Sequence, residues 1–250
     1  MTSVLVLGES WFTYTVHQKG FDAFYTSDYV EGAGVFLDSL AAHGHEVEYL
    51  PSHRIDGTSF DRDFLDRFDV VVISDVGANT FLLPAETFTK SIPTPDKTEQ
   101  LRAYVERGGS LLMVGGYLSF SGIDAKARWG RTALADALPV ALLDRDDRVE
   151  LPAGVAPTVA TAHPVVDGLD PVWPALLGLN EFTQRPGATT LAECAEHPLL
   201  VVGEYGQGRS AAFASDLAPH WAPAEFLAWD GYARLWDQLI RWLAAEPDAR

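Results

Sequence analysis

The sequence predicts an α/β protein in which helices cover both faces of a mainly parallel sheet. Three short and largely apolar runs lead to this prediction, at residues 4–7, residues 69–74 and Ser110–Val114. Continuous apolar runs of this length are typical of strands buried on both faces, as in a parallel sheet. Helical patterns lie between them, and alternation of strands and helices favours a doubly wound sheet.

The first helix is predicted over residues 29–43. Val35, Phe36 and Leu40 recur at helical spacing there, and Gly44 is a natural stop. The next strand is predicted at Glu46–Leu50, ahead of the strand at residues 69–74.

A further helix is predicted after Pro95. Asp96 and Glu99 have the spacing of a capping box, and Gly108 with Gly109 would end the helix. Its apolar face would consist of Leu101, Tyr104 and Val105.

The pattern changes after residue 139, where prolines separate short runs. We expect an irregular excursion over the sheet at about residues 140–187, inside a single domain of residues 1–250. Strands are predicted at residues 188–193, 199–205 and 209–215. A strongly amphipathic last helix follows, which Asp230 could cap.

Charge and composition exclude several classes of function. The chain has 250 residues, 47% of them hydrophobic, and a formal net charge of -17. A surface this acidic repels phosphate backbones and anionic lipids, so we expect neither a nucleic-acid partner nor a membrane partner. With Cys194 as the only cysteine, no signal-peptide pattern and no apolar run long enough to span a bilayer, we expect a cytoplasmic protein.

No cofactor is predicted. The chain has no glycine-rich phosphate loop followed by Lys and Ser or Thr, which disfavours nucleotide binding. Acidic and histidine side chains are present, but no close ligand spacing such as His-x-x-x-His occurs. We therefore predict no metal site.

Polar, aromatic and glycine residues follow four of the predicted strands. In an open parallel sheet ligands bind beyond the carboxyl ends of the strands, so these segments should meet at one edge. The catalytic candidates there are Glu9, His17, Asp75, Tyr117, Asp216 and His220. The ligand-binding candidates are Ser10, Trp11, Lys19, Asn79, Gly116, Phe120 and Trp221.

Each candidate also has a structural explanation. Carboxylates after strands often cap helices, a histidine can bond a backbone carbonyl, and tryptophans often belong to the core. If the functional interpretation holds, Glu9, His17, Asp75, Asn79, Tyr117, Asp216 and His220 should line one pocket, and crowding should raise the pKa of at least one of its acids.

Several motifs together resemble a known family. They are Gly8-Glu9-Ser10-Trp11, His17-Gln18-Lys19-Gly20-Phe21, Ser74-Asp75 with Asn79-Thr80-Phe81-Leu82-Leu83-Pro84, Gly115-Gly116-Tyr117-Leu118-Ser119-Phe120, and Ala212-Phe213-Ala214-Ser215-Asp216 with Pro219-His220-Trp221. In this order they resemble the bacterial "putative glutamine amidotransferase" family of cytoplasmic proteins, and more distantly ThuA-like proteins, over nearly the whole chain. The resemblance implies the class I glutamine amidotransferase-like fold, a three-layer α/β/α sandwich with a flavodoxin-like sheet.

The resemblance does not bring the chemistry of the name. Class I enzymes present a cysteine nucleophile on a Gly-x-Cys-x-Gly turn and activate it with a His-x-Glu pair. Tyr117 stands at the nucleophile's place here, and a phenol that titrates near ~10 is a poor acyl-transfer nucleophile at neutral pH. The late strand offers Asp216 and His220 instead of a His-x-Glu pair, and Cys194 is far along the chain from the turn.

Three functional hypotheses follow for this chain. The first is an enzyme acting on a small polar metabolite, for example a carbohydrate; the second is a binding or regulatory module without turnover. The third, an active glutaminase, is disfavoured by the missing cysteine. The expected partner is a small-molecule ligand, and self-association stays open.

Overall fold

The computed structural model of the chain describes residues 1–245 and is built around an eight-stranded sheet. The strands are β1 (Ser3–Gly8), β2 (Ser10–Lys19), β3 (Asp22–Glu31), β4 (Glu46–Leu50), β5 (Val70–Ser74), β6 (Ser110–Val114), β7 (Val140–Leu142), β8 (Arg148–Val155), β9 (Thr158–Val159), β10 (Leu176–Asn180), β11 (Phe182–Gln184), β12 (Thr189–Cys194), β13 (His197–Tyr205) and β14 (Gly208–Phe213). The helices are α1 (Gly34–Ala42), α2 (Arg62–Leu65), α3 (Asn79–Leu82), α4 (Ala85–Lys90), α5 (Lys97–Glu106), α6 (Ala224–Leu227) and α7 (Asp230–Ala244).

The strand order of the main sheet is β4-β1-β5-β6-β14-β13-β12-β9. The first five strands are parallel, and β13, β12 and β9 extend the sheet by antiparallel pairing. Numbered along the parallel set alone, the order is 2-1-3-4-5, which is that of flavodoxin-like sheets. The predicted fold class is confirmed. The strand order changes direction between β1 and β5.

Helices lie on both faces of the sheet. On one face α1 packs against α7, where the rings of Phe36 and Trp236 are 5.1 Å apart and Trp236 lies 5.0 Å from Phe213 of β14. On the other face α5 packs near α2 and α3, and the hydroxyl of Tyr104 donates a 2.9 Å hydrogen bond to the carbonyl of Phe68. The α5 boundaries follow the sequence prediction, since the Asp96 carboxylate accepts hydrogen bonds from the backbone of Thr98 and Glu99.

The segment after β1 differs most from the prediction. The predicted helix over residues 29–43 begins only at Gly34, because β2 and β3, of ten residues each, form a hairpin that runs to Glu31. Tyr29 lies opposite Phe12 in this hairpin, with the two rings 4.9 Å apart, and such cross-strand aromatic pairs stabilise a ladder.

The excursion predicted as irregular contains five short strands. β10 pairs with β8 and β11 pairs with β7 in separate two-stranded sheets, while β9 joins the edge of the main sheet. The prediction of Asp230 as a cap is wrong: it is the first residue of α7, and Trp229 at the cap position makes no side-chain capping bond. Within residues 1–245, no helix is long and apolar enough to cross a membrane.

Candidate functional site

The carboxyl ends of β1 and β5 each present an acid in a left-handed backbone conformation. Glu9 has φ 47° and Asp75 has φ 39°. Non-glycine residues rarely adopt this conformation, which costs about 1–3 kcal/mol and occurs often at functional sites. Because the strand order reverses between β1 and β5, these acids occupy the position where doubly wound folds bind ligands.

Glu9 is buried, with 3% of its surface exposed. The hydroxyl of Ser74 donates a 2.6 Å hydrogen bond to its carboxylate. Burial, together with repulsion from Asp75 and Asp216, raises the pKa of Glu9 to about 8. Glu9 therefore holds a proton at neutral pH for most of the time.

Asp75 and Asp216 face each other across Gly116. A Cβ placed on Gly116 would lie 2.7 Å from Oδ1 of Asp75 and 2.9 Å from Oδ1 of Asp216, so only glycine fits here. Burial and then the negative charge of Asp216 raise the pKa of Asp75 to about 6, although the backbone N–H of Leu118 donates a hydrogen bond to it. Because the carboxylates of Asp75 and Asp216 lie this close together, the state in which both are ionised is unfavourable.

Asp216 also orients a histidine. Its Oδ2 lies 2.8 Å from Nδ1 of His220 and accepts a 3.0 Å hydrogen bond from the backbone N–H of Trp221. The hydrogen bond with Asp216 raises the pKa of His220. The side chain of His220 is 42% exposed, whereas that of Asp216 is 5% exposed. With Nδ1 directed at Asp216, Nε2 is the nitrogen left to exchange a proton with a ligand.

Gly115 and Gly116 follow β6 directly, and Tyr117 and Leu118 lie in a tight turn closed by the hydrogen bond from Ser119 N–H to Gly116 O. Gly116 has φ 135°. The buried side chain of Asn180 fixes this turn, since its Oδ1 accepts a 3.0 Å hydrogen bond from Gly116 N and its Nδ2 donates a 3.2 Å bond to Gly116 O. Nδ2 of Asn180 also donates to Asp147, which in turn accepts from two backbone N–H groups of the following loop.

Tyr117 lies against the histidine and under β8. Its ring packs edge-on to that of His220 at 4.3 Å. Its hydroxyl donates a 2.9 Å hydrogen bond to Glu150, and Trp221 donates from Nε1 to the other oxygen of the same carboxylate. The guanidinium of Arg148 lies 4.9 Å from the centre of the Tyr117 ring. The excursion thus supplies one wall of the site.

We call Glu9, Asp75, Tyr117, Asp216 and His220 the strand-end cluster. Seven residues were expected to line one pocket, and these are five of them. They interact with one another through their carboxylates or through the ring of His220. Ligand-binding candidates Gly116 and Trp221 belong to the same neighbourhood, although Trp221 is 1% exposed and packs as a buried ring.

His17 and Lys19 do not join this cluster. Both lie near the far end of the β2–β3 hairpin, where His17 stacks on Phe24 at 4.3 Å and Lys19 lies over the same ring. Seven residues of extended strand separate His17 from Ser10, a span of roughly 23 Å at 3.3 Å per residue. Their placement in the site was wrong because the segment after β1 is a long ribbon and not a short loop.

The remaining candidates have other surroundings. Ser10 is buried and exchanges hydrogen bonds with Ser52, and Trp11 is 36% exposed with its ring against Gly32 beside Glu9. Asn79 lines a separate cavity of about 970 Å³ together with Lys126 and Arg128. Phe120 is fully buried and packs on Phe182 at 5.0 Å, so it belongs to the core and not to a pocket wall.

Sequence reasoning missed Asn180, Asp147 and Glu150. All three belong to the excursion, where no strand-end pattern marked them. The β2–β3 hairpin could have been found, because β-prone residues such as Tyr14, Val16 and Tyr25 flank the Gly20-Phe21 turn on both sides.

The turn after β6 faces Asp216 and His220, which follow β14. The chain with this arrangement is also similar to one protein family. A family model described as "Putative glutamine amidotransferase" matches residues 3–245. The chain belongs to this family. We refer to it below as the glutamine amidotransferase-like family.

Two solved structures resemble this glutamine amidotransferase-like chain along almost its whole length. The cytoplasmic protein STM3548 from Salmonella typhimurium is 44% identical, with a TM-score of 0.94 over 97% of this chain and 99% of that one. The cytoplasmic protein STM1381 from Salmonella typhimurium LT2 is 42% identical, with a TM-score of 0.94 over 96% and 99%.

A ThuA-like protein from Bacteroides uniformis shares the fold at 12% identity and a TM-score of 0.57, over 97% of this chain and 91% of that one. A search of curated proteins found no significant match.

Cys194, the single cysteine of this family member, lies at the end of β12. Burial raises the pKa of its thiol to about 11, so the thiol is protonated at neutral pH. A nucleophilic cysteine needs a lowered pKa, which an adjacent base or cation would provide. Within residues 1–245, no group of three or more His, Cys, Asp and Glu side chains has the geometry to hold a metal ion.

The strand-end cluster can exchange protons in the neutral pH range. Glu9 and Asp75 titrate at about 8 and about 6, and His220 is held by Asp216 with one nitrogen accessible. Acid–base catalysis requires groups with pKa values near the working pH and within reach of a ligand. Asp75 and His220 are both partly exposed, and burial together with the charge of Asp216 brings the pKa of Asp75 to about 6.

Proposed function

We propose that the strand-end cluster is an acid–base site for a small polar metabolite and that the chain does not hydrolyse glutamine. One observation supports this most directly. Three neighbouring carboxylates and a histidine bonded to one of them lie at the sheet edge where the strand order reverses. The buried carboxylate of Asp147 accepts hydrogen bonds from Asn180 and from two backbone N–H groups, whereas burial together with repulsion between neighbouring acids raises the pKa of Glu9 and of Asp75.

In this proposal His220 is the group that takes or gives the proton at the ligand. Asp216 holds the imidazole through Nδ1 and stabilises its charged form, and Asp75 is the second proton-exchanging group. Glu9, protonated at neutral pH, lowers the negative charge of the cluster. Tyr117 acts as a wall and hydrogen-bonding residue, because burial and its bond to Glu150 raise the pKa of its phenol.

The chemistry of the cluster favours a neutral or cationic ligand over a phosphate ester. Carboxylates accept hydrogen bonds from hydroxyl and ammonium groups and repel phosphate. Trp11 is partly exposed beside Glu9 and offers an aromatic face of the kind that sugar rings use. A carbohydrate is therefore one ligand class that fits. We also place the chain in the cytoplasm, as both Salmonella relatives are described.

A ligand screen by thermal shift tests the proposal. Sugars, polyols and small amines should raise the melting temperature of the wild-type protein, and the corresponding phosphate esters should not. Asp75→Asn and His220→Ala should abolish the shift, whereas Asp22→Asn at the exposed hairpin turn should keep it. Stabilisation by phosphate esters only, or an equal shift in all variants, would contradict the assignment of the site.

The protonation of His220 gives a ligand-free test of the same site. Asp216→Asn removes the negative charge but leaves an oxygen to accept from Trp221 N, so the pKa of His220 should fall relative to the wild type. Histidine resonances followed by NMR against pH would show this. An unchanged His220 titration would mean that Asp216 does not orient the imidazole.

Glutaminase activity is tested separately. The purified protein with glutamine should release ammonia only at the background rate, and alkylation of Cys194 should change nothing. A cysteine-dependent ammonia signal would overturn the claim that this family member lacks the nucleophile.

A non-catalytic binding module is the second candidate function. It is favoured by the burial of Glu9, whose carboxylate is bonded to Ser74 and is 3% exposed. A ligand from the screen distinguishes the two: if the wild type converts the ligand and His220→Ala does not, the site is catalytic. Binding without conversion by the wild type supports the module.

A further inference from the structure

The β2–β3 hairpin projects from the body of the protein without contributing to its core. Its two strands, Ser10–Lys19 and Asp22–Glu31, are paired through ten successive registers. No residue from 11 to 32 is buried. Phe21 at the turn is fully exposed. A two-stranded ribbon by itself is at best marginally stable in water, so a surface that covers it is expected.

The two faces of the hairpin differ in character. Alternate residues of a strand point to opposite faces, and the register assigns the residues across the ladder. One face, which we call the aromatic face, carries Phe12, Tyr14, Val16, Tyr25 and Tyr29. The opposite face carries mainly polar residues, among them Thr13, Thr15, His17, Thr26 and Asp28.

The aromatic face is open along most of its length. Tyr14 is 77% exposed and Tyr25 is 74% exposed, and Phe12 and Val16 are exposed by more than half. Only its base is covered, where Phe12 and Tyr29 pack against the ring of His53. Contiguous exposed apolar surface of this kind usually marks an interaction site.

This surface continues into a groove on the body of the protein. Phe12 and Tyr29 line a cavity of about 430 Å³ together with Leu83 and Phe88. Phe88 of α4 is itself 73% exposed and Leu83 is 45% exposed. The hairpin face and the groove therefore form one apolar surface.

We propose that this surface binds a second copy of the same chain. A whole aromatic side chain has a surface of about 200 Å². On this basis the exposed fractions of the aromatic and aliphatic side chains of the hairpin face and the groove add up to roughly 700 Å². That is close to the roughly 800 Å² per partner buried in a standard stable interface. A dimer in which two such ribbons pack face to face is self-complementary under a two-fold axis, which is the commonest symmetry of homo-oligomers.

The negative net charge of the chain also favours a second copy as the partner. The chain has a formal net charge of -17, so two copies repel each other over most approaches. Glu31, at the base of the hairpin, is the one charged residue on this side of the ladder, and its carboxylate accepts a hydrogen bond from the hydroxyl of Tyr29; the five residues of the aromatic face are uncharged. Copies that meet through this face avoid opposing carboxylates at the contact, whereas a basic partner would gain nothing from an uncharged surface.

The test compares neighbouring residues on the two faces of the hairpin. Tyr14→Asp places a charge on the aromatic face, and Thr15→Asp places the same charge on the opposite face. Both residues are exposed, so the fold should survive, and circular dichroism with the melting temperature would confirm this. The association of the full chain is measured by sedimentation equilibrium from about 0.5 to 50 μM.

The wild type and Thr15→Asp should be dimers, and Tyr14→Asp should weaken association by at least about tenfold. Phe88→Asp should weaken it as well, because Phe88 belongs to the groove. A wild-type chain that stays monomeric at all these concentrations would overturn the proposal. So would equal association constants for Tyr14→Asp and Thr15→Asp, since the interface would then not use the aromatic face.

Discussion

The strand-end cluster and the β2–β3 hairpin both begin where β1 ends, yet they obey different physical constraints. Glu9 is the residue directly after β1 and is buried among other acids, whereas His17 is eight residues further on and is half-buried against Phe24 on the hairpin. Sequence motifs of one family occur in both. The comparison teaches that the path of the chain after a strand decides what joins the site: His220 stays at the sheet edge because Asp216 bonds it, whereas the chain after Glu9 leaves as a long ribbon.

The two regions also differ in how tightly the backbone is determined. Around the cluster, Glu9, Asp75 and Gly116 have positive φ values that their neighbours enforce. In the hairpin the positive φ of Gly20 belongs to a turn with open space around it. Substitutions at matched glycines should therefore separate the regions most strongly.

Gly116→Ala should have the largest effect. Its Cβ would lie 2.7 and 2.9 Å from two carboxylate oxygens, and the residue would have to keep φ 135°. We expect the free energy of unfolding to fall by about 3 kcal/mol or more. Chemical denaturation of the wild type and the variant measures this.

Gly20→Ala is the matched control in the hairpin. Gly20 has φ 64° with nothing within 4 Å of an added Cβ, so only the conformational cost of about 1 kcal/mol applies, and only to the turn. Equal losses for Gly116→Ala and Gly20→Ala would show that the turn after β6 is not constrained by the two carboxylates.

Glu9→Gln should have an intermediate effect that depends on pH. The folded-state pKa of Glu9 is raised from the usual 4.5 to about 8, so the folded protein binds the extra proton and loses stability as pH rises between these values. Glutamine cannot ionise and escapes this loss. The variant should be more stable than the wild type by roughly 2–4 kcal/mol at pH 9 and should lose this advantage below about pH 4.5.

Unfolding of both proteins in urea across this pH range gives the difference directly. Glu31→Gln in the exposed part of the hairpin is the control and should show no comparable crossover. A difference between Glu9→Gln and the wild type that is the same at every pH would mean that the pKa of Glu9 is the same in the folded and in the unfolded protein.

Removal of most of the hairpin should have the smallest effect on the body of the protein. Residues 13–28 can be replaced by Asn-Gly, a turn suited to joining Phe12 and Tyr29, which lie opposite each other. No core residue is lost, so the free energy of unfolding should change by less than about 0.5 kcal/mol when measured where the wild type is monomeric. A loss of several kcal/mol would mean that the hairpin stabilises the sheet.

Most of the fold could be predicted because its signals are local. The interior strands β1, β5 and β6 are apolar along most of their length, and the boundaries of α5 are marked by Asp96 at its start and by Gly108 at its end. The predicted start of α1 failed because Tyr29 and Val30 suit a strand as well as a helix. Only their partners Phe12 and Trp11, which lie far along the chain, decide between the two.

The candidate site was predictable only in part. Glu9, Asp75, Tyr117 and Asp216 follow strands closely, and parallel strands bring their ends to one edge. His220 lies further along the same loop as Asp216, which bonds it. Asn180, Asp147 and Glu150 reach the site from the excursion, whose path depends on packing over the sheet. No periodicity in the sequence encodes that path.

The sequence by itself determined the parallel α/β sheet, the acidic residues at its carboxyl edge and the presence of a single cysteine. These follow from hydrophobic periodicity, from chain direction and from composition, which need no long-range information. The tertiary structure alone decided that His17 and Lys19 leave the site, that Cys194 is buried with a raised pKa, and that burial and the charges of Asp75 and Asp216 raise the pKa of Glu9. The physical reason is that a pKa depends on burial and on charges within a few ångströms, which are set by residues distant in the chain.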